Sequence, residues 1–265
     1  MQFNLTDPVS WVAGSLALAI IATNIAWLIG HGRPPAGLLA WSGLPALSWL
    51  LVSLFLLLPP VAAWSNGALS PYFMGLSELN WLAVLGTGGL LTAMIIGLTI
   101  FGWLVYRRTL PPGAATPAGG LRRALTAGRP ALDAALAQWH LAFYRAAAIG
   151  WLYGLTVPAD AALPIEPLGR LLAALLAQPL YWGSWLGLGL AALEWALNPV
   201  ARAALGVAGQ REAVIRNAGL GLATTALFVL TRNFWLCLGC HVAVELAVAA
   251  WFPLRTAKKD EGQTT

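Results

Sequence analysis

Three pairs of polar residues lie four positions apart in otherwise apolar stretches of the sequence. They are Glu166 with Arg170, Glu194 with Asn198, and His241 with Glu245. Residues at positions i and i+4 lie on one face of a helix. Two helices that each present two nitrogen or oxygen ligands could surround a divalent metal and leave one position open for water. A nearby carboxylate would then be available as a general base.

Each pair also has a structural interpretation. Glu166 and Arg170 fit an ion pair near the start of a helix at the membrane interface. His241 and Glu245 fit hydrogen bonds that hold neighbouring helices together. Ionisable groups inside a bilayer are costly and by default mark a functional site. The residue types alone leave both interpretations open.

Four other residues are candidates for chemistry. Cys237 and Cys240 form a C-x-x-C pattern inside an apolar helix, where small buried cysteines are ordinary core residues. His31 lies at a predicted membrane edge. His140 lies in an amphipathic stretch, where it fits an interfacial anchor or a ligand to a pigment or lipid head group.

The composition determines the class of protein that must position these residues. Of 265 residues, 59% are hydrophobic and 9% are charged, whereas soluble domains carry about 25% charged residues. This excludes a soluble globular protein, a disordered chain and a disulfide scaffold. The fourteen tryptophans agree with a membrane protein, because tryptophan concentrates at bilayer interfaces. The net charge of +5 comes from 15 lysines and arginines, and in a membrane protein such residues usually determine its orientation in the bilayer. We therefore expect no nucleic-acid partner.

A bilayer admits only helices or closed barrels, and the apolar segments have helical length. The sequence therefore predicts an all-α, polytopic integral membrane protein with seven to eight transmembrane helices. We expect Pro59 and Pro60 to end the second helix, and a basic loop with Arg202, Arg211 and Arg216 to follow the sixth. The predicted helical segments are 11–30, 37–58, 81–106, 131–157, 166–178, 182–199, 219–230 and 234–252.

The chain divides into four regions. Residues 1–106 contain N-terminal transmembrane helices, and 107–130 form a basic linker rich in proline and glycine. Residues 131–254 form a C-terminal helical membrane domain, and 255–265 form a polar tail. The linker holds five arginines and no acidic residue, so we expect it on the cytoplasmic side.

The stretch 219–245 resembles the end of the CPBP family, the CAAX-protease and bacteriocin-processing intramembrane proteins, also called the Abi family. Members carry a glycine-rich helix, then Thr-Gly-Ser-Leu-Trp, then His-x-x-x-Asn. In this chain the segment from Thr231 to Trp235 corresponds to the second of these, and His241-x-x-x-Glu245 to the third.

Two earlier motifs of that family are Glu-Glu-x-x-x-Arg and Phe-x-x-x-His. The stretch Glu166-Pro-Leu-Gly-Arg170 is similar to the first, with its leading Glu lost. The stretch Glu194-Trp-Ala-Leu-Asn198 occupies the place of the second, with Asn where His is expected. The resemblance covers about residues 160–252.

The resemblance implies an intramembrane metallopeptidase with a zinc-like divalent metal, acting on a prenylated or transmembrane peptide in the bacterial cytoplasmic membrane. It implies Glu166 as the base and Arg170 as the residue that orients it. The implied metal-facing groups are Asn198, His241 and Glu245, with Glu194 as an additional candidate.

The lost motif residues predict that this chain is weak or inactive as a peptidase. An alternative is a non-catalytic membrane scaffold or an accessory subunit of a larger membrane complex, with membrane proteins as partners. A third interpretation is a subunit that binds a pigment or lipid through His31, His140 or His241.

Overall fold

The computed structural model describes residues 6–31, 44–77, 81–109, 128–155, 173 and 176–251. Within these ranges the regular elements are helices and no strand occurs, as the all-helical prediction requires. Three helical stretches in this part of the chain are long and apolar enough to cross a membrane. They are Pro8–Leu28, Ala83–Tyr106 and Gln210–Thr231.

The N-terminal half contributes three long helices and one short one. They are α1 (Pro8–His31), α2 (Leu44–Ser65), α3 (Pro71–Met74) and α4 (Trp81–Thr109). Asp7 caps α1, because its carboxylate accepts from the backbone N–H groups of Val9 and Ser10 at 3.1 and 3.3 Å. We predicted that Pro59 and Pro60 end the second helix, and this was wrong: both lie inside α2. Membrane helices tolerate internal proline where neighbouring groups satisfy the freed carbonyls.

The C-terminal half contributes the helices that carry the candidate site. They are α5 (Arg129–Gly154), α6 (Pro179–Leu197), α7 (Pro199–Gly206), α8 (Ala208–Thr231) and α9 (Phe234–Trp251). The predicted basic loop was also wrong, since Arg202 lies in α7 and both Arg211 and Arg216 lie in α8. Interfacial helices carry arginines on their polar face, so charge alone does not distinguish a loop from such a helix.

The central contact of the fold is between α5 and α6. Gly183 and Gly187 of α6 are buried. A methyl group added to Gly187 would lie 2.5 Å from the Cα of Arg145, and one added to Gly183 would lie 2.7 Å from the Cα of Ile149. The two backbones are therefore in direct contact, as small residues allow in membrane helix pairs. Helices α1, α2, α3 and α9 also pack against α5, which makes it the centre of the bundle.

The turn between α8 and α9 lies at the predicted Arg232-Asn233 junction. Arg232 adopts the left-handed conformation with φ 52°, and the Asn233 side chain accepts from the N–H of Leu236 at 3.0 Å. Gly75, at the end of α3, accepts from the N–H of Phe234 at 3.1 Å. This contact fixes the start of α9 against the N-terminal half.

Candidate functional site

Glu194 is the centre of a buried hydrogen-bond network. It lies on α6 and is 4% exposed. Its Oε2 is 2.8 Å from Nε2 of His140 and accepts from the hydroxyl of Tyr144 at 2.5 Å. His140 and Tyr144 are four positions apart on α5, so they share one face of that helix. The close contact of α5 with α6 brings the three side chains together.

The positions of the protons in this network follow from the atoms that can only accept a hydrogen bond. Nδ1 of His140 lies 3.1 Å from the carbonyl oxygen of Leu56 on α2, and a carbonyl only accepts, so Nδ1 carries a proton. One further proton lies between Nε2 of His140 and Oε2 of Glu194. Whichever atom holds it, the pair has no net charge. The hydroxyl of Ser15 on α1 is 3.4 Å from that of Tyr144. Four helices therefore meet at Glu194.

His241 belongs to a second, adjacent network. The Nε2 of Gln138 lies 2.9 Å from Nδ1 of His241 and donates to the Thr224 hydroxyl at 2.9 Å. That hydroxyl donates in turn to the Leu220 carbonyl at 2.7 Å. Because the amide nitrogen only donates, Nδ1 of His241 is an acceptor, and the neutral ring carries its proton on Nε2.

Arg145 carries a buried positive charge beside this second network. Its side chain is fully buried, and its Nη1 donates to the Thr224 carbonyl at 3.4 Å. The guanidinium carbon lies 4.3 Å from the centre of the Phe228 ring, a cation–π contact. The Cys237 thiol donates to the same carbonyl of Thr224 at 3.2 Å. Nε and Nη2 of Arg145 have no partner within the part of the chain that the structure describes.

The two networks border one cavity of about 620 Å³. Glu194, Asn198 and His241, which the sequence analysis grouped, all line it, together with Gln138 and His140. Much of the remaining lining is apolar and comes from the three helices α2, α5 and α6: Trp49, Val52, Phe55, Leu56, Leu136, Leu141, Leu188 and Trp195. The cavity is therefore an apolar chamber with a few convergent polar groups, which is the usual form of a binding site.

Two of the predicted metal-facing residues are held in other interactions. Oδ1 of Asn198 accepts from the N–H groups of Val200 and Ala201 at 2.9 and 3.3 Å, and this caps α7. Both carboxylate oxygens of Glu245 accept from Arg216 of α8, at 2.9 and 3.0 Å. Glu245 thus serves an ion pair between α8 and α9 and is not among the residues that line the cavity.

The described residues do not fit a zinc-like ion. Among them, no group of three or more His, Cys, Asp or Glu side chains is placed to hold a metal. The imidazole and carboxylate that do meet, His140 and Glu194, hydrogen-bond to each other. Glu166 and Arg170, predicted as base and orienting residue, lie outside the described residues. Their roles therefore stay predictions.

The sequence analysis missed the contribution of α5 to the site. It considered His140 only as an interfacial anchor or ligand and did not include Gln138, Tyr144 or Arg145. A signal was present, because these polar side chains occur within two turns of a helix that is otherwise apolar there. Such residues in a membrane helix face the protein interior by default.

Comparison of the chain with protein family models, with curated proteins and with solved structures finds no match. The chemistry of the site is therefore judged from its own geometry. It can hold a shared proton between His140 and Glu194, and it can present the ring of His241 to a bound molecule.

Proposed function

We propose that this protein is a divergent CPBP-family, CAAX-protease-like intramembrane protein that is weak or inactive as a metallopeptidase. The observation that carries the proposal is the common cavity of Glu194, Asn198 and His241. The first two come from the place of the family's Phe-x-x-x-His motif and the third from its last motif. Motif residues far apart in the chain that border one buried cavity support the resemblance.

A second match to the family's first motif supports the same proposal. The spacing of Glu-Glu-x-x-x-Arg also fits His140-Leu-Ala-Phe-Tyr144-Arg145, with the arginine retained in the last position. His140 and Arg145 are both buried, and His140 contacts Glu194 directly. In this alignment the first motif has lost both carboxylates, and its place on α5 adjoins the residues of the later motifs.

The hydrogen bonds of the cavity favour weak or absent hydrolysis. A metal-bound water needs a held metal, a base and an open coordination site. The Asn198 oxygen caps α7, and the Glu194 carboxyl group is hydrogen-bonded to both His140 and Tyr144. A divalent ion that recruited these groups would have to break those bonds. His241 is then the one imidazole of the lining without a carboxylate partner among the described residues.

A non-catalytic scaffold or accessory subunit of a larger membrane complex is the second candidate. The observation that favours it is the exposure of α4, whose apolar span Ala83–Tyr106 has only 6% of its residues buried. One side of this helix packs against α8 and α9, and its exposed side is available to lipid or to a helix of another membrane protein. Membrane proteins would then be the partners.

We further propose that the chain crosses the bacterial cytoplasmic membrane seven or eight times, with the basic linker 107–130 on the cytoplasmic side. Besides the three long spans, α2 and α9 contain the shorter apolar helices Trp49–Ser65 and Phe234–Val248. Helix α5 has 26 residues and is long enough, at about 1.5 Å per residue, to cross the roughly 30 Å hydrocarbon core.

Two measurements on the purified full chain test the proposed function. We expect far less than one divalent metal per chain, and no cleavage of a prenylated or transmembrane peptide above that of His241→Ala. Gln210→Ala is the control, because it truncates an exposed polar side chain that is not part of the cavity lining. One metal per chain, with cleavage that His241→Ala abolishes and Gln210→Ala retains, would overturn the proposal.

A further inference from the structure

The cavity reaches from an exposed rim to polar groups deep in the bundle. Arg129 and Asp133 lie at the rim, with side chains 59% and 51% exposed, whereas Gln138 and His241 are 1% and 3% exposed. Gln138 is nine residues along α5 from Arg129, which is about 14 Å at 1.5 Å per residue. The floor of the cavity therefore lies near the middle of a bilayer about 30 Å thick.

The charged groups of the cavity are already paired within the protein. His140 and Glu194 share a proton and have no net charge together. At the rim, Nε of Arg129 lies 3.7 Å from Asp133, whose carboxylate also accepts from Nε1 of Trp49 at 3.0 Å. At the buried end of the cavity, a charged ligand would have to break the His140–Glu194 pair to find a counter-ion, and breaking a buried pair is costly.

The buried polar atoms of the lining that lack partners among the described residues are uncharged. Oε1 of Gln138 and the hydroxyl of Ser53 have no hydrogen-bond partner among the described residues. Nδ1 of His241 accepts a hydrogen bond from Gln138, and Nε2 of the same ring has no partner among the described residues. The lining thus offers one acceptor, one hydroxyl that donates or accepts, and one N–H donor. Unpartnered polar groups next to a cavity are stabilised by a ligand that supplies the missing hydrogen bonds.

From this distribution we infer that the cavity binds an uncharged amphiphile with a hydroxyl head group and a hydrocarbon tail. The hydroxyl can donate to Oε1 of Gln138 and accept from the hydroxyl of Ser53. The tail fits the apolar walls, which include Phe55 and Leu188. The volume of about 620 Å³ is within the roughly 300–1,000 Å³ of small-molecule sites. The inference rests on the proposed function in one respect, namely that these polar groups do not hold a metal.

Photolabelling distinguishes this ligand class from charged ones. The full chain in lipid nanodiscs is exposed to diazirine analogues of dodecanol, dodecanoic acid and dodecylamine, and the labelled peptides are mapped by mass spectrometry. We expect the alcohol to label cavity segments of α2, α5 or α6 saturably, with competition by excess dodecanol. Labelling by the acid and the amine should be at least about fivefold weaker, the effect expected of one or two net hydrogen bonds. Equal or stronger labelling of the cavity by the acid or the amine would overturn the inference.

Two variants test the unpartnered polar groups of Ser53 and Gln138. Ser53→Ala removes an unpartnered hydroxyl, and Gln138→Met removes the vacant acceptor at similar side-chain length. Gln210→Met, at an exposed glutamine of α8, is the matched control. We expect labelling by the alcohol to fall about fivefold or more in the first two and to remain unchanged in the control. If Gln138→Met does not fold, Ser53→Ala decides alone, and full labelling of that variant would overturn the inference.

The metal content of the same preparation separates the two proposals. Stoichiometric metal together with peptide cleavage that His241→Ala abolishes would overturn the proposed function whatever the labelling shows. A chain without stoichiometric metal that the alcohol does not label saturably would overturn the ligand and leave the proposed function standing.

Discussion

At the scale of single residues, the described part of the chain contains a shielded and an exposed pair of arginine with a carboxylate. Arg216 and Glu245 are 15% and 14% exposed and meet through two parallel hydrogen bonds, with Glu212 also 3.5 Å from Arg216. Arg129 and Asp133 are more than half exposed and 3.7 Å apart. Bidentate pairs of arginine with a carboxylate are the strong ones, whereas exposed pairs contribute little to the stability of the fold.

This contrast gives a prediction for double-mutant cycles. We expect the coupling free energy between Arg216→Ala and Glu245→Ala to be about 1–3 kcal/mol, because the pair is mostly shielded from water. For Arg129→Ala and Asp133→Ala we expect less than about 0.5 kcal/mol. Unfolding of the four single and two double variants in micelles measures both. Equal coupling in the two pairs would contradict the assigned burial of Arg216 and Glu245.

The residue scale also shows where prediction from sequence stops. The spacing of Glu194 with Asn198 and of His241 with Glu245 predicts shared helix faces. Asn198 lies just beyond α6, as the N-cap of α7, and Glu194, Asn198 and His241 border one cavity. The partners of these side chains lie on other helices: His140 on α5 for Glu194, and Arg216 on α8 for Glu245. The i and i+4 rule describes one helix only, so such tertiary pairings do not follow from it.

At the scale of helices, the contact of α5 with α6 depends on two glycines. Gly187 lies against the backbone of Tyr144 and Arg145 in α5. Because the two helices are this close, Tyr144 and His140 reach the carboxyl group of Glu194. Gly189, two residues further along α6, has no atom within 4 Å of the position its Cβ would take. The same helix therefore contains a matched pair of glycines, one packed and one free.

Alanine substitution of these two glycines should have opposite effects. Gly187→Ala introduces a methyl group 2.5 Å from a backbone atom of α5. We expect it to destabilise the fold by about 1–3 kcal/mol, the usual cost of overpacking. Gly189→Ala should be neutral or stabilise by up to about 1 kcal/mol, because alanine is the better helix former. Thermal unfolding of both variants is the measurement, and a stable Gly187→Ala variant would show that the helices are further apart.

The helices themselves were largely predictable because each long apolar segment has one stable form in a membrane. The predicted segment 81–106 corresponds to α4, and 234–252 to α9. The errors concern residues that are typical of loops but lie in helices. Pro59 and Pro60 lie inside α2, and the arginines after Asn198 lie in α7 and α8. Proline and arginine alone therefore do not mark the end of a helix in this chain.

At the scale of the whole molecule, the N-terminal and C-terminal regions share one core. Helices α1, α2 and α3 pack against α5, and Ser15 and Leu56 reach the network of Glu194 from α1 and α2. The polar centre is thus assembled from distant parts of the chain. The basic stretch 107–130 carries five arginines, and we expect it to determine how this bundle faces the two sides of the membrane.

Cysteine labelling tests the orientation. The two native cysteines, Cys237 and Cys240, are buried and should give little background. A cysteine introduced at Gly119 in the linker should be protected from an impermeant maleimide in intact cells and react after lysis. Labelling in intact cells would place the linker outside the cell and contradict the proposed orientation.

The most direct test of the central claim is the stability of a swapped pair, because the account requires His140 and Glu194 to be partners in a shared buried network. His140→Glu places two carboxylates together and Glu194→His places two imidazoles together. Each single variant should therefore lose about 3–5 kcal/mol of unfolding free energy. The double variant restores one carboxylate and one imidazole, and we expect it to recover at least half of the summed loss. Additive losses in the double variant, or single variants as stable as the parent, would contradict the account.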